Sequence, residues 1–427
     1  MTRFKVVVIA VLLLVLAVAL GPKNYQVEPA VKTEAEKALE NEIVQYLKDN
    51  YNSIDLDNEI ENFHILDEDL EGKEIFFTGE VHGIKTNADL HMKFLKYFKE
   101  KVDFKYYLAE FSYSNAYFLN KYLNTGDIRI LEDVFEELKG SYSWNKDSFE
   151  FWVNFQQYNN NLEEERKIQV IGIDIELQPS TSYKYFVDIL PSEDPPIEIK
   201  KMINNIINTN NRLIETGFGA SYSTAKDLQK DIIAKESIYR DYLGEHYFGF
   251  KTVSSNLLKY ERAYRNKRNQ VDWNNLRDKM IYENFVLIER RMPKGKYFGQ
   301  WGVNHVFQSK EKNIKWLATY LNEEDSMYKD KVLSIAFNYE NSRQMGKMGD
   351  KQYIINEVDF IFPYMKVAND RIGGDMNIYK LNAAGSPFKD IRMYYTFNRE
   401  LLEEPMVNFF QYIVYLKDIG PTDPLGY

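Results

Sequence analysis

The 427-residue sequence contains no cysteine. Disulfides, thiol nucleophiles, thiolate metal sites and lipid attachment through an N-terminal cysteine are therefore excluded, and a metal would have to be held by histidine, carboxylates and other oxygen donors. Histidine is scarce too, with five in the whole chain, so a histidine beside an acid stands out. Lys and Arg number 54 against 64 Asp and Glu, a net charge of −10 spread without an acidic tail. That balance offers no basic face to nucleic acid. There is no G-x-S-x-G elbow, no H-E-x-x-H zinc helix, no P-loop and no G-x-G-x-x-G. Serine α/β-hydrolase, zincin and nucleotide-binding chemistries thus lack their signatures. After residue 21 no apolar run approaches the length of a membrane span.

The one long apolar run opens the chain. Arg3 and Lys5 precede fifteen apolar residues (6–20), closed by Gly21-Pro22. This is the charged start and apolar centre of an export signal, and Ala17 and Ala19 supply small residues for cleavage. Uncleaved, residues 4–21 would instead serve as a membrane anchor. Residues 1–21 are read as signal peptide or N-terminal anchor and 22–32 as a polar linker. The body is expected to be exported, extracellular or periplasmic, with any membrane attachment through the N-terminus only.

From residue 33 onward, short apolar runs alternate with amphipathic helical patterns. The runs are EIFFTGE (74–80), KYYLAEF (105–111), IQVIGIDIE (168–176), KYFGQWGVNHV (296–306), KVLSIAFNYE (331–340) and FFQYIVYLKDI (409–419). Such alternation predicts α/β architecture: a central, mostly parallel sheet flanked by helices. Between 179 and 292 the rhythm stops. Helical patterns at 199–216, 224–243, 255–268 and 273–292 predict a helical lobe, inserted into a 33–427 domain over the active-site end of the sheet.

Ligands of parallel α/β sheets bind beyond the carboxyl ends of the strands, so what stands at the end of each run matters. The first ends in Glu80 and His82, the second in Glu110, the third in Asp174 and Glu176, and the fourth in Trp301-Gly302-Val303-Asn304-His305. Residues i and i+2 of an extended segment share a side. Glu80 and His82 can therefore face one cavity while Val81 packs behind. A carboxylate beside an imidazole raises its basicity and fixes which nitrogen is free, as a general base acting on water requires. Gly79 and Gly83 permit close approach of backbone or substrate. His91, on the helix after the first run, is read as structural.

These residues resemble the erythromycin esterase family. The resemblance rests on TGEVHG (78–83), YLAEF (107–111), the stretch from FWVNFQQY to IGIDIE (151–176), LRDKMIYENFVLIERRMPKGKYFGQWGVNHV (276–306) and QYIVYLKDIGPTDPLG (411–426). It covers about residues 74–426. It implies an α/β core with a helical lobe and a cleft between them, and metal-independent hydrolysis of lactone rings. The family's base falls on His82, its paired acids on Glu80 and Glu110, its late histidine on His305, and its R-D-x-x-M arginine on Arg277. This chain has one residue, not two, between the first acid and the histidine. It has one histidine, not two, in the late motif.

The expectation is an exported hydrolase that needs no cofactor and cleaves a small-molecule ester or lactone. Its catalytic residues would be His82, Glu80, Glu110, His305 and Arg277, with Asp174, Glu176, Asn304 and Trp301 binding substrate. More distant relatives of the same core include metal-dependent peptidases and haem-binding iron-uptake proteins. They leave two alternatives: Glu80, His82, Glu110 and His305 as ligands of a divalent metal in a hydrolase, or a non-catalytic protein binding haem or another hydrophobic ligand.

Overall fold

The computed structural model describes residues 32–57, 61–349, 352–395 and 400–426. The expected signal or anchor at 1–21 lies outside them, as does the linker at 22–32 except for its last residue. No helix among the described residues is long and apolar enough to cross a membrane.

The helix Glu34–Asp49 opens the described chain, its first turn closed by a capping box between Thr33 and Glu36. Strands follow in the order β1 (Tyr51–Ser53), β2 (Ile75–Glu80), β3 (Tyr106–Ser112) and β4 (Gln169–Asp174). The helices Pro179–Asp188, Ile197–Ala234, Glu236–Leu243, Tyr247–Arg265 and Gln270–Glu289 then intervene. After them come β5 (Tyr297–Gly302), β6 (Val332–Met348), β7 (Tyr353–Phe360), β8 (Met376–Lys380), β9 (Arg392–Tyr395), β10 (Glu400–Pro405) and β11 (Tyr412–Lys417).

The main sheet runs β1-β8-β11-β6-β2-β5-β3-β4. From β11 to β4 every neighbouring pair is parallel. β8 and β1 extend one edge antiparallel, and β7 folds back on β6. This is the expected mostly parallel sheet between helices, with a helical insertion. β2 shows why the apolar runs were informative. All six of its residues are buried, because helices cover both faces of a parallel sheet. Phe76 joins the core on one face, and Ile75 and Phe77 the core on the other. Each such side chain contributes about 1.5–3 kcal/mol through burial.

Strand order decides where the site falls. The chain lays down β2, then β3 and β4 to one side, and returns from the helical insertion to place β5 between β2 and β3. The carboxyl ends of β2, β5 and β3 therefore lie side by side. Glu80 pairs in register with Gly302 across β2 and β5.

Three details depart from the sequence pattern. The segment expected as a helix at 199–216 and the first part of that at 224–243 form one helix, Ile197–Ala234, and the remainder is the separate helix Glu236–Leu243. Gly217 and Gly219 within it each cost roughly 1 kcal/mol of helix propensity. Burial of Ile199, Ile203 and Ile206 at one end and Ala225, Leu228 and Ile232 at the other, all in one core, offsets that cost. The fourth run is strand only to Gly302; 303–306 is a 3-10 turn, and that turn carries His305. β6 runs on to Met348, beyond its expected end at 340, and makes a long hairpin with β7.

Candidate active site

Glu80 is the last residue of β2 and His82 stands two residues on. The Glu80 carboxylate can only accept, so His82 Nδ1–H donates to its Oε1. Asn87, in the first turn of the helix Thr86–Val102, donates its amide NH2 to the other oxygen, Oε2, and to the Val81 carbonyl at 2.8 Å. Glu80 and Asn87 are buried, whereas the His82 side chain keeps 28% of its surface open. Burial disfavours the His82 imidazolium, but Glu80, Tyr142 and Glu110 together outweigh it and hold the imidazole well above its ordinary range. Gly83 (φ +80°) follows at once, and a Cβ there would lie 2.2 Å from the Met345 carbonyl oxygen. Its own carbonyl accepts from Met345 and Thr422 N–H at 2.9 and 3.0 Å. The loop carrying His82 is thus fixed at its far end.

Glu110 reaches the same place through an irregularity in β3. The β3–β4 ladder is regular to Ala109↔Gly172 and resumes at Ser112↔Asp174, with one extra residue on β3. Such a bulge re-aims a side chain at a strand end. On the other side, the β3–β5 ladder extends only through Tyr107↔Phe298. Beyond it, side chains replace backbone pairing: the Trp301 indole N–H donates to the Leu108 carbonyl at 2.9 Å, and Gly302 N–H donates to Glu110 Oε2 at 2.8 Å.

The helix Gln270–Glu289, packed on β4, adds Arg277 and Asp278. Arg277 Nε and Nη2 donate to the two oxygens of Asp174 at 3.1 and 2.5 Å, and Nη2 also donates to Glu110 Oε1 at 2.9 Å. Asp278 Oδ1 accepts from His305 Nδ1–H at 2.7 Å and from Leu317 N–H at 2.9 Å. Two acid–imidazole pairs therefore bracket one carboxylate. His82 Nε2 lies 3.8 Å from Glu110 Oε2, and His305 Nε2 lies 3.4 Å from Oε1. Burial would raise the Glu110 carboxyl, but His305, His82, Arg277 and the Gly302 N–H together hold it at about 2. His305 is raised as well: burial opposes its charge, and Asp278 and Glu110 outweigh burial.

A cavity of about 310 Å³ opens over this floor, at the small end of ligand pockets. Glu80, His82, Glu110 and Arg277 line it. His305 reaches it only through Glu110 and Arg277. The residues read from sequence as substrate-binding do not line it. Asp174 is fully buried behind Arg277, and Trp301 is 1% exposed with its indole N–H spent on β3. Glu176 is fully buried and accepts from the hydroxyls of Ser114 and Ser182. Asn304 lies in the turn beyond β5, outside the lining.

The structure also adds residues that sequence spacing left out. Tyr142 stacks on His82 with ring centroids 4.6 Å apart and planes 16° from parallel. It sits between the helices Ile128–Glu136 and Lys146–Asn160. The β6–β7 hairpin props that loop, through Gly140 N–H to the Tyr353 hydroxyl and Met348 N–H to the Gly140 carbonyl. His91, read as structural, lines the cavity too. Burial holds its imidazole down at about 3, so the neutral ring accepts the Tyr107 hydroxyl at 2.8 Å and stacks on Phe151.

Among the described residues no group of three or more His, Asp or Glu side chains is placed to hold a metal ion. The four residues weighed as ligands do not fit one. Arg277 stands against Glu110 and within 3.3 Å of His305 Nε2, where a dication would meet a guanidinium. Both Nε2 atoms face Glu110, so neither imidazole offers an unopposed nitrogen to a haem iron.

No protein-family model matches the chain, and no curated protein matches it by sequence. Solved structures do match. One is a mutant of erythromycin esterase EreC in its open conformation, with TM-score 0.62, 17% identity, and coverage of 88% of this chain and 99% of that one. The chain shares the fold of erythromycin esterase. A succinoglycan biosynthesis protein has the same fold (TM-score 0.69, 13% identity, 91% and 99% covered). So does a Bacillus cereus protein (TM-score 0.66, 17% identity, 90% and 99% covered). In each case the shared fold spans nearly the whole of both chains.

Proposed function

We propose that the chain is an exported hydrolase that cleaves a small-molecule ester or lactone with water activated by His82 and Glu110. One observation carries this reading: at the cavity floor, His82 presents Nε2 toward Glu110 Oε2 across 3.8 Å while Glu80 holds its Nδ1. A water within about 3 Å of both atoms would give one hydrogen to His82 and the other to Glu110. Glu110, held at about 2, is too weak a base for the proton transfer and orients the water. His82, raised by Glu80, takes the proton.

The hydroxide oxygen then bonds to the ester carbonyl carbon. As the tetrahedral intermediate collapses, the C–O bond to the leaving alcohol breaks. The His82 imidazolium returns its proton to the leaving oxygen, giving acid and alcohol. The field of Arg277 at the cavity wall favours the developing oxyanion. Its N–H groups remain on Asp174, Glu110 and His305 Nε2, so Arg277 and His305 act mainly by fixing Glu110 as a carboxylate. The fold shared with erythromycin esterase and the motif resemblance support this reading, and the apolar run at 6–20 supports export.

The test is hydrolysis of a panel of aryl and alkyl esters and lactones by the purified protein, with and without EDTA, alongside its metal content and visible spectrum. Turnover indifferent to EDTA is expected. Turnover abolished by EDTA with stoichiometric metal would replace this reading with a metal hydrolase, and a Soret band without turnover would replace it with haem binding.

A further inference from the structure

The single residue between Glu80 and His82 is gripped at both of its backbone polar atoms. Val81 N–H donates to the Tyr339 hydroxyl at 3.3 Å, and the Val81 carbonyl accepts from Asn87 Nδ2 at 2.8 Å. The two gripping side chains are themselves joined, since the Tyr339 hydroxyl donates to Asn87 Oδ1 at 2.7 Å. Tyr339, on β6, is fully buried, and Asn87 and Val81 are buried with it. None of the three is a chemical partner of a substrate in the reading above.

The donor directions in this chain are forced. A tyrosine hydroxyl has one proton, and an amide presents a carbonyl at one end and NH2 at the other. Were Asn87 turned around, its oxygen would face the Val81 carbonyl and Glu80 Oε2, three acceptors together, while its NH2 faced the hydroxyl. With Oδ1 toward Tyr339, every group has a complement. The NH2 then holds the Glu80 carboxylate by Oε2, which aims Oε1 at His82 Nδ1–H. Nδ1 keeps its proton and Nε2 becomes the basic nitrogen.

We propose that Tyr339, acting through Asn87, is a positioning residue that keeps the Glu80 carboxylate aimed at Nδ1 of His82, so securing its tautomer, and holds the one-residue spacer in register. The tautomer claim stands on geometry; its kinetic consequence rests on the hydrolase reading above. Tyr339→Phe keeps the buried ring and removes only the hydroxyl. Asn87→Asp keeps the shape of its side chain and removes the NH2, breaking the chain at its next link.

The experiment is ¹⁵N imidazole NMR of the full-length protein above the His82 titration, with steady-state kinetics on the best ester of the panel. In the wild type, neutral His82 should carry its proton on Nδ1. Tyr339→Phe and Asn87→Asp should each show a mixture of tautomers, and kcat should fall roughly tenfold with KM unchanged, the usual scale for an outer partner of a catalytic group. A wild-type His82 protonated on Nε2, or a folded variant that keeps the wild-type tautomer, would overturn the proposal. If Tyr339→Phe does not fold, Asn87→Asp decides alone. If the wild type turns over no ester, the hydrolase reading fails while the NMR result still decides the tautomer claim.

Discussion

Glu110 and Arg277 meet as a half-buried ion pair at the cavity floor, Nη2 to Oε1 at 2.9 Å, and the same guanidinium grips both oxygens of fully buried Asp174. Removing one partner of such a network leaves uncompensated charge in the interior. Arg277→Met should destabilise the fold by about 3–5 kcal/mol, measured by urea denaturation. Arg277→Lys restores charge without the planar fork, and should recover part of the stability and little of the activity.

Stability and activity should part company with rising pH. Glu110 is held at about 2 against an ordinary 4.5. Its contribution, roughly 3 kcal/mol, is complete above 4.5 and is lost as pH falls toward 2. His82 and His305 have the opposite sign. Both are raised above 6.5, so their contributions are complete below 6.5 and are lost as pH rises through the folded values. His82, facing Glu80, Glu110 and Tyr142, is a free base only above that value. Turnover should therefore climb on the alkaline side while thermal stability declines, as parallel pH–kcat/KM and pH–melting profiles would show. Both quantities falling together there would contradict the charge assignment.

Tyr142 covers one face of His82 at 4.6 Å. Ring stacking of this kind contributes about 0.5–1.5 kcal/mol. Tyr142→Ala should lower kcat/KM about three- to tenfold, and Tyr142→Phe, which keeps the stack, should leave it close to wild type.

Gly83 adopts φ +80° with its Cα against the Met345 carbonyl. Gly83→Ala meets both an unfavourable backbone region and a backbone atom that cannot yield. A loss of about 2–3 kcal/mol is expected, read from the urea midpoint.

The sequence carried much of this arrangement. Strands buried on both faces are unbroken apolar runs, and the ends of β2, β3 and β5 could be read from Glu80, Glu110 and Gly302 because a parallel sheet gathers its carboxyl ends. What escaped was either irregular or distant. The β3 bulge that aims Glu110 has no residue signature. β1, the edge strand, and β8 beside it are only three and five residues long, and β7 is largely exposed, so they lack the continuous apolar signal. Trp301 and Glu176 looked like site residues by position alone, yet one seals a strand junction and the other accepts from buried serines. Tyr142 and Tyr339 reach His82 and Asn87 from 60 and 252 residues away in the chain, a distance no local pattern spans.

The most direct test of the central claim compares wild type with His82→Gln on the best ester or lactone substrate, in EDTA, at the alkaline optimum. Glutamine keeps polarity and much of the volume but cannot accept the proton. A fall in kcat/KM of about 10²–10⁴, the usual contribution of a general base, is the predicted result. Wild-type turnover in His82→Gln, with the fold intact by circular dichroism, would contradict the assignment of His82 as the base that activates water.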